Sequence, residues 1–137
     1  MKLDMKAIQN MNLFEKITGV KSRCCFTYNN TIIFVVPKHF MSKALGNNAA
    51  NISNIGNRLN KKIRVIADPQ GKHDLEGFVQ AIIYPHDFKN ILLENDELVI
   101  FSLPRTKAAL IGRNKSRIEE LSNILEQFFG IKHILIK

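Results

Sequence analysis

The chain contains an internal repeat, and this repeat restricts the folds that the sequence can adopt. Gly46 aligns with Gly112, which lies 66 positions later. Four apolar pairs share that offset: Ile32 with Leu98, Ile52 with Ile118, Ile55 with Leu121, and Leu59 with Leu125. Self-similarity at a fixed spacing is typical of a duplicated structural unit. We therefore expect the same order of elements twice: helix, strand, strand, helix, glycine loop, helix, strand.

Local signals place these elements along the chain. Asp4 is a candidate N-cap and Gly19 a candidate C-terminal stop of the first helix. The pair Asn29-Asn30 predicts a hairpin turn before the β-branched strand Thr31–Val36. In the second copy, Asp74 is a candidate N-cap.

Size and turn composition predict the domain boundaries. A chain of 137 residues, 45% of them hydrophobic, suits one ordinary domain or two very small ones that share an interface. The run Asp68-Pro69-Gln70-Gly71-Lys72 reads as a linker. We expect an α+β fold with domains at 1–67 and 73–137, joined by the linker 68–72.

The charge of the chain favours a polyanionic partner. The net charge is +8, and residues 1–67 hold 11 Lys and Arg against 2 acidic residues. The second half holds 9 against 10, so it is basic only locally, in the segment Arg105–Arg117 with its five basic side chains. A glycine loop before a helix offers free backbone N–H groups, which attract phosphate.

Two segments carry a family resemblance. The segments 45–52 (Leu-Gly-Asn-Asn-Ala-Ala-Asn-Ile) and 111–118 (Ile-Gly-Arg-Asn-Lys-Ser-Arg-Ile) resemble the Ile-Gly-x-x-Gly signature between two helices of KH domains. A helix and strand before that core match the type II arrangement. The whole chain resembles the archaeal NusA-like transcription factors, including segments 13–20 and 128–131. The second signature glycine is replaced, by Ala49 in the first copy and by Lys115 in the second.

The resemblance implies two tandem type II KH domains, each a three-stranded sheet covered by helices on one face. It implies single-stranded RNA as partner, with RNA polymerase as a further candidate, and a role in transcription elongation or termination. A KH loop clamps a nucleic-acid backbone beside an apolar groove, which Ala109, Leu110, Ile111 and Ile118 would wall. The implied RNA-binding residues are Lys43, Gly46, Asn47, Asn48, Ala49, Arg105, Lys107, Ile111, Gly112, Arg113, Asn114, Lys115 and Arg117.

Other interpretations remain open. The altered signature could mark a KH pair that acts as a protein-interaction module on RNA polymerase or the ribosome, or a ribosome-assembly factor. Lys61, Lys62 and Arg64 could contact phosphate or form a solvated strand edge. Tyr28 and Phe40 could stack on bases or pack internally.

Several classes of function lack support in the sequence. The four histidines are scattered, and nucleophile motifs, paired carboxylates and metal-ligand spacings are absent, so we expect no enzyme, cofactor or metal. Adjacent Cys24 and Cys25 predict reduced thiols in a strand and a reducing compartment. The start Met1-Lys2-Leu3-Asp4 lacks the apolar core of a signal peptide, and no apolar run spans a membrane. A cytoplasmic location is therefore expected.

Overall fold

A computed structural model describes residues 4–137 of the chain. The expectation about a signal peptide rests partly on residues 1–3, which lie outside this range. Within it, no helix is long and apolar enough to cross a membrane. The elements in chain order are α1 (Met5–Thr18), β1 (Cys24–Tyr28), β2 (Thr31–Val36), α2 (Met41–Leu45), α3 (Ala50–Leu59), β3 (Lys62–Ala67), α4 (Leu75–Ile83), β4 (Phe88–Glu94), β5 (Glu97–Ser102), α5 (Lys107–Ile111), α6 (Ser116–Phe129) and β6 (His133–Ile136).

The elements form an α+β fold with two three-stranded sheets, ordered β1-β2-β3 and β4-β5-β6. In each sheet the first pair of strands is antiparallel and the second is parallel. A parallel connection needs a long crossover, which α2 and α3 supply in the first copy and α5 and α6 in the second. Contacts divide the chain into two compact units, the first ending at Asp68 and the second beginning at Pro69.

Local signals in the first unit produce the expected elements. The Asp4 carboxylate accepts a hydrogen bond from the Ala7 N–H at 2.7 Å, so it caps α1 as predicted. Gly19 ends α1 in the left-handed conformation, with φ of 74°. Asn29 and Asn30 have φ of 51° and 61°, as the predicted hairpin turn between β1 and β2 requires.

The core of the first unit forms where α1 packs on the sheet. Phe14 of α1 and Phe34 of β2 are both fully buried, and their rings stack with centroids 4.4 Å apart. Such pairs stabilise a fold beyond the apolar area they bury. The buried residues of this cluster are Phe14, Val20, Cys25, Ile32, Phe34, Val36, Ala44, Ile55 and Ile63.

The two cysteines are free, buried thiols in β1. Burial raises the pKa of Cys24 to about 12 and that of Cys25 to about 11. Both thiols therefore stay protonated at neutral pH. A role of Tyr28 in base stacking is not compatible with its position, because it is only 5% exposed, whereas Phe40 is 40% exposed.

The second unit has the same order of elements as the first, with different side chains in its core. Phe78 of α4 is buried and contacts Phe128 of α6, with ring centroids 4.8 Å apart. Asp74 lies at the N-cap position of α4 as predicted, but its side chain makes no capping hydrogen bond. A short 3-10 turn precedes α4, and the Asp74 carboxylate instead accepts the Gln70 N–H at 2.8 Å.

We expect Phe14→Ala to lower the free energy of unfolding of the first unit by about 3–5 kcal/mol, because it removes a buried ring and leaves a cavity. Urea unfolding monitored by circular dichroism measures this loss. Gln9→Ala on the exposed side of α1 is the control and should change stability little. Equal stability of the two variants would contradict this packing.

Candidate nucleic-acid interface

The two glycine loops have the same backbone shape. Gly46 follows α2 with φ of 76° and ψ of 178°, and Gly112 follows α5 with φ of 79° and ψ of 168°. A Cβ on Gly112 would lie 2.7 Å from the backbone nitrogen of Arg117, and one on Gly46 would lie 2.9 Å from Nδ2 of Asn51. Only glycine combines this conformation with so close an approach.

The replaced signature positions are held in a left-handed conformation. Asn48 and Ala49 have φ of 52° and 57°, and Asn114 and Lys115 have φ of 55° and 63°. Asn tolerates this region, whereas a residue with an ordinary Cβ is strained there by roughly 1–2 kcal/mol. Ala49 and Lys115 therefore occupy a backbone conformation that suits the glycine of the KH signature.

Each loop leads directly into a helix that lacks a side-chain cap. Ala49 precedes α3 and Lys115 precedes α6, and neither donates or accepts a capping hydrogen bond through its side chain. Both loops are exposed, at residues 47–49 and 113–115. The positive end of the helix dipole makes each of these helix starts suitable for an anion.

The residue two positions after the loop differs between the two units. In the first unit, the Asn51 amide donates to the carbonyl oxygens of Lys43 and Ala44 at 3.2 Å each, which ties α3 to the end of α2. Its counterpart is Arg117, whose Nε lies 2.9 Å from the Glu120 carboxylate. Arg117 thus pairs within α6 and packs against Gly112, so its charge is partly neutralised.

Three predicted site residues lie away from the loops. Lys43 extends towards the end of α1, where its Cε lies 3.4 Å from the position of a Cβ on Gly19. A cation is favourable at that helix end. Arg105 and Lys107 are exposed at the start of α5, whereas the loop follows the end of this helix. The structure therefore leaves Arg113, Asn114 and Lys115 as the exposed loop side chains of the second unit.

A groove runs beside the loop helix in the first unit, between α3 and β3, with a volume of about 730 Å³. Its apolar lining residues are Ile52 and Ile63. The residues lining its helix side are Ile52, Ser53, Gly56 and Asn57. The residues lining the turn and strand side are Asn60, Lys61, Lys62, Ile63, Arg64 and Thr31.

An equivalent groove of about 470 Å³ lies between α6 and β6. It is lined by Lys115, Ile118, Glu119, Ser122, Asn123 and Ile134. Ile118 was predicted to wall a groove opposite α5, and it lines this groove between α6 and β6. Leu110 was predicted there too, which is wrong: it is 1% exposed and belongs to the core. Ala109 and Ile111 are half-buried.

Sequence reasoning missed most of the groove residues on the helices. Ser53, Gly56 and Asn57 match Glu119, Ser122 and Asn123 at the offset of the repeat. They lie 4, 7 and 8 residues beyond the last loop residue, Ala49 or Lys115, which places them on one side of the helix. Small or polar residues at this spacing in both copies of the repeat were the sequence signal that could have identified the groove. Residues 4–137 contain no group of three or more His, Cys, Asp or Glu side chains that could hold a metal ion.

The chain is similar to archaeal proteins named "Probable transcription termination protein NusA". It is 27% identical to the one from Methanococcus vannielii, over 98% of this chain and 79% of that protein. It is 24% identical to the one from Thermoplasma acidophilum (98% and 94% covered) and 26% identical to the one from Halococcus morrhuae (93% and 92% covered).

Among solved structures, the crystal structure of APE1850 has the same fold. The TM-score is 0.68 at 23% identity, and the match covers 98% of this chain and 100% of that chain. No protein-family model matches the chain.

The left-handed conformation of Lys115 leads to a prediction about stability. We expect Lys115→Gly to raise the free energy of unfolding by about 0.5–1.5 kcal/mol, because it relieves backbone strain at some cost in chain entropy. Lys115→Ala removes the same charge but keeps a Cβ, so it should show no such gain. Urea unfolding of the two variants measures the difference, and equal stability would show that the loop is unstrained.

Proposed function

We propose, from the premise that the chain is an archaeal NusA-like protein, that it binds single-stranded RNA as a factor of transcription elongation or termination. In this proposal the two units are tandem type II KH domains, and each unit holds RNA at one site beside the helix that follows its glycine loop, α3 or α6. The observation that carries the proposal is the duplicated arrangement of a glycine turn, an uncapped helix start and a groove.

The second unit provides the charged loop. Arg113 and Lys115 are exposed on it, and the start of the 14-residue helix α6 follows directly. Phosphates would accept hydrogen bonds from the loop N–H groups and contact these two cations. The bases would lie along the adjoining groove, against the apolar surfaces of Ile118 and Ile134.

This chemistry is binding rather than catalysis. The loops and grooves supply backbone donors, cations and apolar walls, which position a strand without reacting with it. RNA polymerase is a natural second partner for a factor of elongation or termination, and we include it in the proposal.

Titration of a fluorescently labelled, unstructured oligouridine at several salt concentrations tests the RNA site. We expect Arg113→Glu with Lys115→Glu to weaken binding at least tenfold at low salt. It should also reduce the slope of log affinity against log salt by about 1.4, since each phosphate contact to a single strand contributes about 0.7.

The matched control carries Lys72→Glu and Lys89→Glu, which make the same charge change at exposed positions of the second unit away from the loop. The control should retain most of the affinity and the slope. If the two double variants bind alike, the loop is not the RNA site. If the unaltered protein does not bind RNA at low salt, the proposed function fails.

A second candidate function is protein docking on the outer face of the second sheet. Leu92, Val99 and Leu135 are direct neighbours across all three strands, and Leu92 and Leu135 are 46% and 45% exposed. Glu94 and Glu97 pair at the end of β4 and β5, which disfavours RNA at this surface. An apolar row with an acidic edge suits a basic protein surface.

Co-purification with RNA polymerase from cells that produce the tagged chain tests this candidate. Leu92→Asp with Leu135→Asp should reduce the recovered polymerase several-fold while oligouridine binding stays unchanged, because the apolar row is lost and the loops are intact. Asn90→Asp, an exposed change on the same strand, is the control. Unaltered recovery with the double variant would exclude this face as the docking surface.

A further inference from the structure

We propose that the first unit holds the RNA phosphate backbone on the strand side of its groove, through Lys61 and Lys62, and not on its glycine loop. This inference rests on the proposed function, because it takes single-stranded RNA as the ligand. It also specifies which part of the RNA each wall of the groove contacts: one wall contacts phosphates and the opposite wall contacts bases.

Charge in the first unit is concentrated on one wall. Lys61 and Lys62 are exposed where the turn after α3 enters β3, and both line the groove together with Arg64. The loop at the other end of α3 carries Asn47, Asn48 and Ala49 and no charge. No carboxylate is present among the residues that line this groove.

Charge in the second unit is distributed differently, although exposed Lys132, directly before β6, matches Lys61 at the register of the two sheets. Its loop carries Arg113 and Lys115, and Lys115 also lines the groove. Glu119 lines the helix side, at the position that matches Ser53. The strand position that matches Lys62 is His133, since Lys62 pairs with Thr31 and His133 with Glu97 at the same register. Glu119 lies in the first turn of α6, next to the loop, whereas the matching residue of the first unit, Ser53, is uncharged.

The two units thus share a backbone shape but differ in their cations: the first has an uncharged loop and three cations on the strand side of its groove, whereas the second has two cations on its loop. A single strand carries one negative charge per nucleotide, so its backbone follows the cationic wall and its bases extend away from it. In the first unit the bases would then meet the helix side, where Ser53 and Asn57 line the groove. Amide and hydroxyl groups there can hydrogen-bond to base edges.

Two charge-matched double variants in the first unit separate the walls. Lys61→Gln with Lys62→Gln removes two positive charges from the strand side. Asn47→Asp with Asn48→Asp adds two negative charges to the loop, and Asp, like Asn, tolerates the left-handed conformation of position 48. Lys6→Gln with Lys16→Gln makes an equal charge change at exposed positions of α1 and is the control.

The readout is oligouridine binding of the full chain at several salt concentrations. We expect the Lys61 and Lys62 double variant to lose about tenfold in affinity at low salt and about 1.4 in salt slope, if both lysines contact phosphate. The Asn47 and Asn48 variant should stay within about threefold of the unaltered protein, as should the control.

The inference is overturned if the loop variant loses as much affinity as the lysine variant, or if the lysine variant matches the control. If either occurs while the Arg113 and Lys115 variant still weakens binding, the proposed RNA function stands and only the wall assignment fails. If the unaltered protein does not bind oligouridine, both fail together.

Discussion

The close approach between the end of one short helix and the start of the next is the constraint on which each unit depends. At Gly112 the backbone leaves no room for a Cβ beside the Arg117 nitrogen. This contact fixes where α6 begins, and therefore which N–H groups face solvent and where the groove opens. The same turn at Gly46 fixes α3. The glycine turn therefore has a structural role in each unit, because it determines where the following helix begins.

Local chemistry determined which parts of the fold were predictable. The strand Thr31–Val36 and the turn Asn29-Asn30 agree with the structure because β-branched residues and left-handed Asn are signals that act over a few residues. Asp74 does lie directly before α4, but it also ends a 3-10 turn, and its carboxylate accepts the Gln70 N–H instead of a helix N–H. The sequence therefore predicted the capping position but not the hydrogen-bond partner, which depends on the backbone before the helix.

The sequence was sufficient to locate the loops of the candidate site, but it did not predict the grooves beside them. The repeat located Gly46 and Gly112, but α5 has only five residues, too few for periodicity to show which side faces the core. Leu110 was therefore placed in the groove although it is buried. The groove itself arises where a helix meets a strand across a turn, as α3 meets β3. Proximity of that kind depends on tertiary packing, which a single sequence does not record.

The buried thiols of β1 have a practical consequence. Both cysteines of the chain lie in the first unit, and burial raises the pKa of Cys24 to about 12 and that of Cys25 to about 11. Alkylating reagents attack the thiolate, so at neutral pH they modify only molecules in which this strand has transiently opened. The rate of alkylation therefore reports opening events of the first unit without any label. The second unit contains no cysteine, so the alkylation rate gives no information about its opening.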